Sequence, residues 1–87
     1  MNLEEIRKEI DRIDKNIIQL IKKRLAFAVL ARNNKIKNGL KLSDVKREKE
    51  ILIKVKEKCR LLNINNEKIV KIFELIIQIS RDREELK

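Results

Sequence analysis

Apolar side chains recur every three or four residues along the first third of the chain, the spacing of one face of an α-helix. They are Leu3, Ile6, Ile10, Ile13, Ile17, Leu20 and Ile21. The pattern continues into residues 25–31, which are apolar nearly all round and are expected to be buried on more than one side. It stops at Lys37-Asn38-Gly39, where Asn-Gly favours a left-handed helix end. The pattern predicts a first helix over about residues 3–37.

Two shorter helices are predicted in the remainder of the chain. The second begins at Ser43 or Asp44, which are capping residue types, and ends at the asparagine-rich stretch 63–66. The third starts at Asn65 or Asn66 and runs to about Glu85. The predicted fold class is all-α, with one long and two shorter helices in a single domain, 1–87.

The predicted lengths create a packing problem. At 1.5 Å per residue the first helix is about 50 Å long, and two helices of about half that length cannot cover it by folding onto it once. An antiparallel second copy would cover it. The sequence therefore predicts that the chain forms a dimer.

Composition restricts the chemistry. The 87 residues carry a formal net charge of +9, which favours an anionic partner without choosing among nucleic acid, an anionic membrane and a small polyanion. Cys59 is the only cysteine and histidine is absent, so an intrachain disulfide is impossible and Cys-His and Ser-His catalysis are excluded within one chain. The same composition strongly disfavours a zinc site. No apolar run approaches membrane-spanning length and no signal region precedes Glu4, so we expect a soluble, cytoplasmic protein.

Several polar residues stand on or beside the apolar helix faces. Arg7 and Arg24 lie seventeen positions apart on the first helix, about 25 Å, too far to hold one small ligand from the same chain. In an antiparallel dimer, Arg7 of one copy can approach Arg24 of the other. The other candidates are Lys35, Asp44, Arg47, Glu48, Ser80 and Glu84.

Taken singly, these residues have ordinary explanations. The cations are typical of solvated or snorkelling side chains, Asp44 of a helix cap, Ser80 of a small core residue and Glu84 of a solvated helix end. Their spacing alone does not establish a site.

Together with the apolar pattern, however, they resemble one family over essentially the whole chain. The matching segments are IRKEIDRIDKNIIQLIKKR at 6–24, Lys35, SDVKRE at 43–48 and IFELIIQIS at 72–80. On these segments the sequence resembles a chorismate mutase of the all-helical AroQ class. The resemblance implies an intertwined homodimer of three-helix chains that rearranges chorismate to prephenate without metal, cofactor or covalent intermediate.

The resemblance also implies roles for the candidate residues. It places Arg24, and Arg7 of the partner subunit, on the two substrate carboxylates, which guanidinium forks fit well. It places Lys35 at a carboxylate and at the ether oxygen, and Glu48 at the ring hydroxyl. Asp44 and Arg47 would line the same wall, and Ser80 would lie near the ring carboxylate.

Glu84 occupies a position where the family carries either Gln or Glu, opposite Lys35 across the ether oxygen. A glutamine amide donates a hydrogen bond at any ordinary pH, whereas a carboxyl group donates only when protonated. We therefore expect Glu84 to act as its protonated acid and activity to fall as the pH rises.

Three alternatives stay open from the sequence. The first is isochorismate-pyruvate lyase, an enzyme of the same fold. The second is a basic helical nucleic-acid-binding or scaffold protein, which the scarcity of aromatic residues and of binding motifs weakens. The third is a regulatory domain that binds chorismate or prephenate for a larger enzyme.

Overall fold

The computed structural model describes residues 1–85, and the predicted domain 1–87 extends two residues beyond them. Three α-helices follow one another: α1 (Leu3–Lys37), α2 (Val45–Leu61) and α3 (Asn66–Glu85). No strand occurs within residues 1–85. The all-α prediction and the three predicted helices are confirmed.

Local sequence explains where α1 begins and ends. The Asn2 side chain accepts a hydrogen bond of 2.8 Å from the backbone N–H of Glu5 and caps the first turn. At the other end Gly39 adopts φ +66°. The N–H of Gly39 then donates to the carbonyl of Ile36 and that of Leu40 to the carbonyl of Lys35, which is the Schellman arrangement.

The later helix ends follow the same rules. Asp44 caps α2 by accepting from the backbone N–H of Arg47 at 3.1 Å, so the cap is Asp44 and not Ser43. Asn63, at φ 55°, closes α2 in the left-handed conformation, which asparagine tolerates better than most residues. Asn65 then caps α3 by accepting from the N–H of Glu67 at 2.9 Å.

Helix α3 lies between the other two and packs on both, whereas α1 and α2 do not pack on each other within the described chain. Among the side chains that the structure describes, the buried apolar ones are Cys59 on α2 and Val70 and Ile77 on α3, two helices that pack on each other. Cys59, at 5% exposed, is a core residue. Helices α2 and α3 are antiparallel, since they are joined by a short turn and the start of α2 meets the end of α3.

The N-terminal part of α1 extends away from this core. Residues 10–20 are all exposed in the chain, although four of them belong to the apolar face. The molecule measures 55 × 27 × 15 Å, and its radius of gyration of 16.1 Å exceeds the roughly 12 Å of a compact 87-residue domain. One copy of the chain thus leaves its longest apolar surface uncovered.

The segment 25–31 is less buried than its composition led us to expect. Phe27 and Leu30 are exposed, whereas Leu25, Ala28 and Val29 are partly covered. The reason is that only α3 reaches this part of α1, and it covers one side. The expected burial on more than one side is therefore not met within a single chain.

No described helix combines the length and the apolar character needed to cross a bilayer.

Candidate active site

A cleft opens where the C-terminal half of α1, the start of α2 and the end of α3 converge. Its volume is about 460 Å³, within the range of small-molecule sites. Aliphatic and aromatic side chains form part of its wall. The charged and polar residues that line it are Arg24, Lys35, Asp44, Arg47, Glu48, Ser80, Arg81 and Glu84.

Seven of the eight residues singled out from the sequence therefore lie around one space. Arg7 is the exception: it is exposed in the second turn of α1 and does not line the cleft. This placement agrees with the estimate that Arg7 and Arg24 of one chain are too far apart for one small ligand.

Lys35 is held at the end of α1 by contacts from two other segments. Its Nζ donates to the carbonyl oxygen of Leu42 at 3.1 Å and to Oε2 of Glu84 at 3.1 Å. The side chains of Lys35 and Glu84 are only 19% and 15% exposed. The two groups thus face the cleft as a shielded pair, with the α1–α2 loop anchored to the same ammonium group.

Arg24 and Ser80 form a second polar contact across the α1–α3 boundary. Nη1 of Arg24 donates to Oγ of Ser80 at 2.6 Å, and that hydroxyl donates to the carbonyl oxygen of Ile76 at 2.9 Å. Ser80 is 8% exposed, so it is both a small core residue and a wall of the cleft. Because a guanidinium carries five N–H donors, Arg24 keeps donors available for a ligand.

The first turn of α2 supplies the third wall. The Asp44 carboxylate accepts a hydrogen bond from the backbone N–H of Arg47. Asp44 therefore caps α2 and also lines the cleft. The guanidinium of Arg47 lies 3.9 Å from Glu50 and is exposed. Glu48 is turned toward α3 and is partly buried.

Sequence reasoning missed Arg81. Its Nη2 donates to Oε1 of Glu48 at 2.6 Å and its Nε donates to Oε2 at 3.3 Å, a two-point contact between α3 and α2. A signal was available, because residue 81 follows Ile77 by four and precedes Glu84 by three. That spacing puts all three on one helix face.

The charges of the cleft favour an anionic ligand. Four cations line it, together with three carboxylates, and each carboxylate already has a task. Glu48 pairs with Arg81, Glu84 pairs with Lys35, and Asp44 caps a helix. The charged groups that line the cleft therefore leave an excess of one positive charge. Such a site can bind carboxylates and donate hydrogen bonds to oxygen atoms in a partly desolvated space.

The comparison with known families agrees with this geometry. The family model described as chorismate mutase type II matches residues 6–85. The chain belongs to the chorismate mutase type II family. The resemblance found in the sequence is thereby confirmed.

Two kinds of known protein are similar in sequence to this chain. The chain is 36% identical over 76 residues to a chorismate mutase of Methanocaldococcus jannaschii, covering 87% of this chain and 77% of that protein. It is 39% identical over 79 residues to a bifunctional chorismate mutase/prephenate dehydratase of Buchnera aphidicola subsp. Schizaphis graminum. That match covers 91% of this chain but 20% of the relative.

A second bifunctional chorismate mutase/prephenate dehydratase, from Buchnera aphidicola subsp. Acyrthosiphon pisum, is 35% identical over 74 residues. It is matched over 85% of this chain and 19% of its own length. The chain thus spans about a fifth of the bifunctional relatives. No solved structure matches the chain significantly.

Proposed function

We propose that this chain catalyses the rearrangement of chorismate to prephenate, as part of aromatic amino-acid biosynthesis. The observation that carries the proposal is the convergence of Arg24, Lys35, Glu48 and Glu84 on one cleft of suitable size. Membership of the chorismate mutase type II family supports the same reaction.

The substrate carries two carboxylates, a ring hydroxyl and the ether oxygen whose C–O bond breaks. In this proposal Arg24 binds one carboxylate through the N–H donors that Ser80 does not use. Arg47 and Asp44 line the wall beside it, and Glu48 accepts a hydrogen bond from the ring hydroxyl. These contacts hold the flexible side chain of chorismate over the ring, in the geometry needed for the new C–C bond.

The reaction breaks one C–O bond and forms one C–C bond within the same molecule. Negative charge grows on the ether oxygen as the C–O bond lengthens, and an ammonium group placed there stabilises the transition state more than the ground state. Lys35 is already fixed at the cleft by Leu42 and Glu84, so little reorganisation is needed. Glu84 contacts Lys35, and in this proposal it supplies a second donor only after gaining a proton, since the carboxylate that accepts from Lys35 has none to donate.

We further propose that the functional unit is a homodimer in which Arg7 of the partner subunit completes the site. The chain exposes 7708 Å², whereas a compact monomer of 10.4 kDa exposes about 5,400 Å². The excess of roughly 2,300 Å² per chain is the scale of an obligate dimer interface. Much of it belongs to the apolar face of α1, which no described segment of the same chain covers.

The proposal includes a single domain over residues 1–87, cytoplasmic localisation and a reaction that needs no cofactor or metal. Nucleic acid and membranes are not among the proposed partners.

Purified protein incubated with chorismate is expected to consume it and to form prephenate. Pyruvate and salicylate from isochorismate would indicate the lyase instead. DNA retention that weakens with salt, without turnover, would support the nucleic-acid-binding alternative. Binding of chorismate or prephenate without turnover would support the regulatory-domain alternative.

Mixed variants test the shared site. Arg7→Ala and Arg24→Ala chains are each expected to be inactive alone, and a heterodimer of the two regains one intact site. Statistical subunit exchange at equal amounts should restore about a quarter of wild-type activity, since half the dimers are mixed and each has one working site. Arg7→Ala mixed with the double variant is the control, because no combination of these chains has an intact site. Absence of recovery after confirmed exchange would refute the shared site.

A further inference from the structure

Arg81 lines the cleft and contacts Glu48, and the mechanism proposed above gives this contact no role. Its guanidinium meets both oxygens of Glu48, at 2.6 Å and 3.3 Å, and so joins residues 33 positions apart on two helices. Arg81 is 49% exposed and Glu48 25% exposed. Both side chains line the cleft.

The proposed role of Glu48 makes two demands on its carboxylate. The group must accept a hydrogen bond from the ring hydroxyl, although its negative charge is repelled by the two carboxylates that the substrate brings into the same cleft. It must also keep one oxygen aimed at that hydroxyl. A glutamate at the start of a helix has three side-chain torsions, so the side chain by itself does not fix the direction of its oxygens.

We propose that Arg81 is a positioning residue for Glu48, an inference that rests on the proposed chorismate mutase activity. Its positive charge offsets the repulsion between Glu48 and the substrate carboxylates. Its two N–H donors also fix the plane of the Glu48 carboxylate. Each carboxylate oxygen has about two acceptor positions. Arg81 takes one on each oxygen and leaves the others for the ring hydroxyl.

The first experiment compares Arg81→Gln and Arg81→Lys with the wild type. Arg81→Gln is expected to lower kcat/KM roughly tenfold, the scale of one lost charge-assisted contact after allowance for exposure. The kcat/KM of Arg81→Lys should lie between those of wild type and Arg81→Gln, since lysine keeps the charge but not the planar guanidinium group. Arg83→Gln removes the same charge from an exposed position of α3 outside the cleft and should stay within about twofold of wild type.

A double-mutant cycle with Glu48→Gln separates positioning from other roles. If Arg81 acts through Glu48, Arg81→Gln should cost less than about twofold in the Glu48→Gln background. An equal loss in both backgrounds means that Arg81 acts on the substrate directly or on the fold, and overturns the inference.

A substrate analogue provides a test with Glu48 intact. With hydrogen in place of the ring hydroxyl of chorismate, wild type and Arg81→Gln should differ by less than about twofold, because the contact that Arg81 supports is missing. A full tenfold difference on the analogue contradicts the inference. A wild-type protein without chorismate turnover refutes the proposed function, whereas an active wild type with an unimpaired Arg81→Gln variant refutes the Arg81 inference alone.

Discussion

Ile13→Lys is expected to dissociate the proposed dimer and to abolish turnover with it. Ile13 stands midway along the uncovered apolar face of α1 and is 55% exposed in the chain. Ile10 and Ile17 lie one turn to either side. Burying the exposed half of an isoleucine side chain is worth about 0.7–1.5 kcal/mol, half the value for full burial.

A twofold interface counts this contribution from both copies, about 1.5–3 kcal/mol, and each 1.4 kcal/mol changes the dissociation constant tenfold. The lost burial alone should therefore weaken the dimer about 10- to 150-fold. Bringing two lysine ammonium groups into the interface adds a desolvation cost. Turnover falls because Arg7 of the partner subunit no longer reaches Arg24.

Ile53→Lys is the matched control. Ile53 is 64% exposed, so it is at least as accessible as Ile13, but its neighbours one turn away are all charged: Lys49, Glu50, Lys56 and Glu57. Ile53→Lys should keep both the molecular mass in solution and the turnover rate of wild type. Sedimentation equilibrium over a dilution series, with turnover measured at each concentration, provides both readouts. If Ile13→Lys stays dimeric and active down to the same protein concentration as wild type, this face of α1 is not the interface.

Two further predictions concern the Lys35–Glu84 pair. Lys35→Met should lower kcat by about 10²–10³-fold, the effect of removing one donor from a developing oxyanion, while Lys37→Met, an exposed change two residues along α1, should stay near wild type. An unchanged kcat for Lys35→Met, measured as initial rates of chorismate loss, would refute the assignment of Lys35. For Glu84, the variant Glu84→Gln should turn over chorismate faster than wild type at neutral pH, because the glutamine amide can donate to the ether oxygen and the carboxylate that accepts from Lys35 cannot. Equal or lower turnover by Glu84→Gln at neutral pH would rule out this role.

The positions of the helices were predictable because their causes are local. Asn2 and Asp44 cap helix starts, and Gly39 and Asn63 supply left-handed ends. The predicted start of α2 left Ser43 and Asp44 as alternatives, and the hydrogen bond that the Asp44 side chain accepts from the N–H of Arg47 decided between them. The family resemblance went further and selected seven residues that the structure places around one cleft.

Sequence by itself thus determined three helices, their apolar faces and an uncovered stretch of α1 too long for one chain to bury. Tertiary structure decided which polar groups meet. The Arg81–Glu48 contact depends on the antiparallel packing of α2 and α3, and the Lys35–Glu84 pair on the way α3 crosses α1. The spacing of residues along a helix determines the face on which each side chain lies, but it does not determine which residue of another helix packs opposite that face. The sequence therefore places Arg81 on the same face of α3 as Ile77 and Glu84, and only the packing of α3 against α2 puts it opposite Glu48.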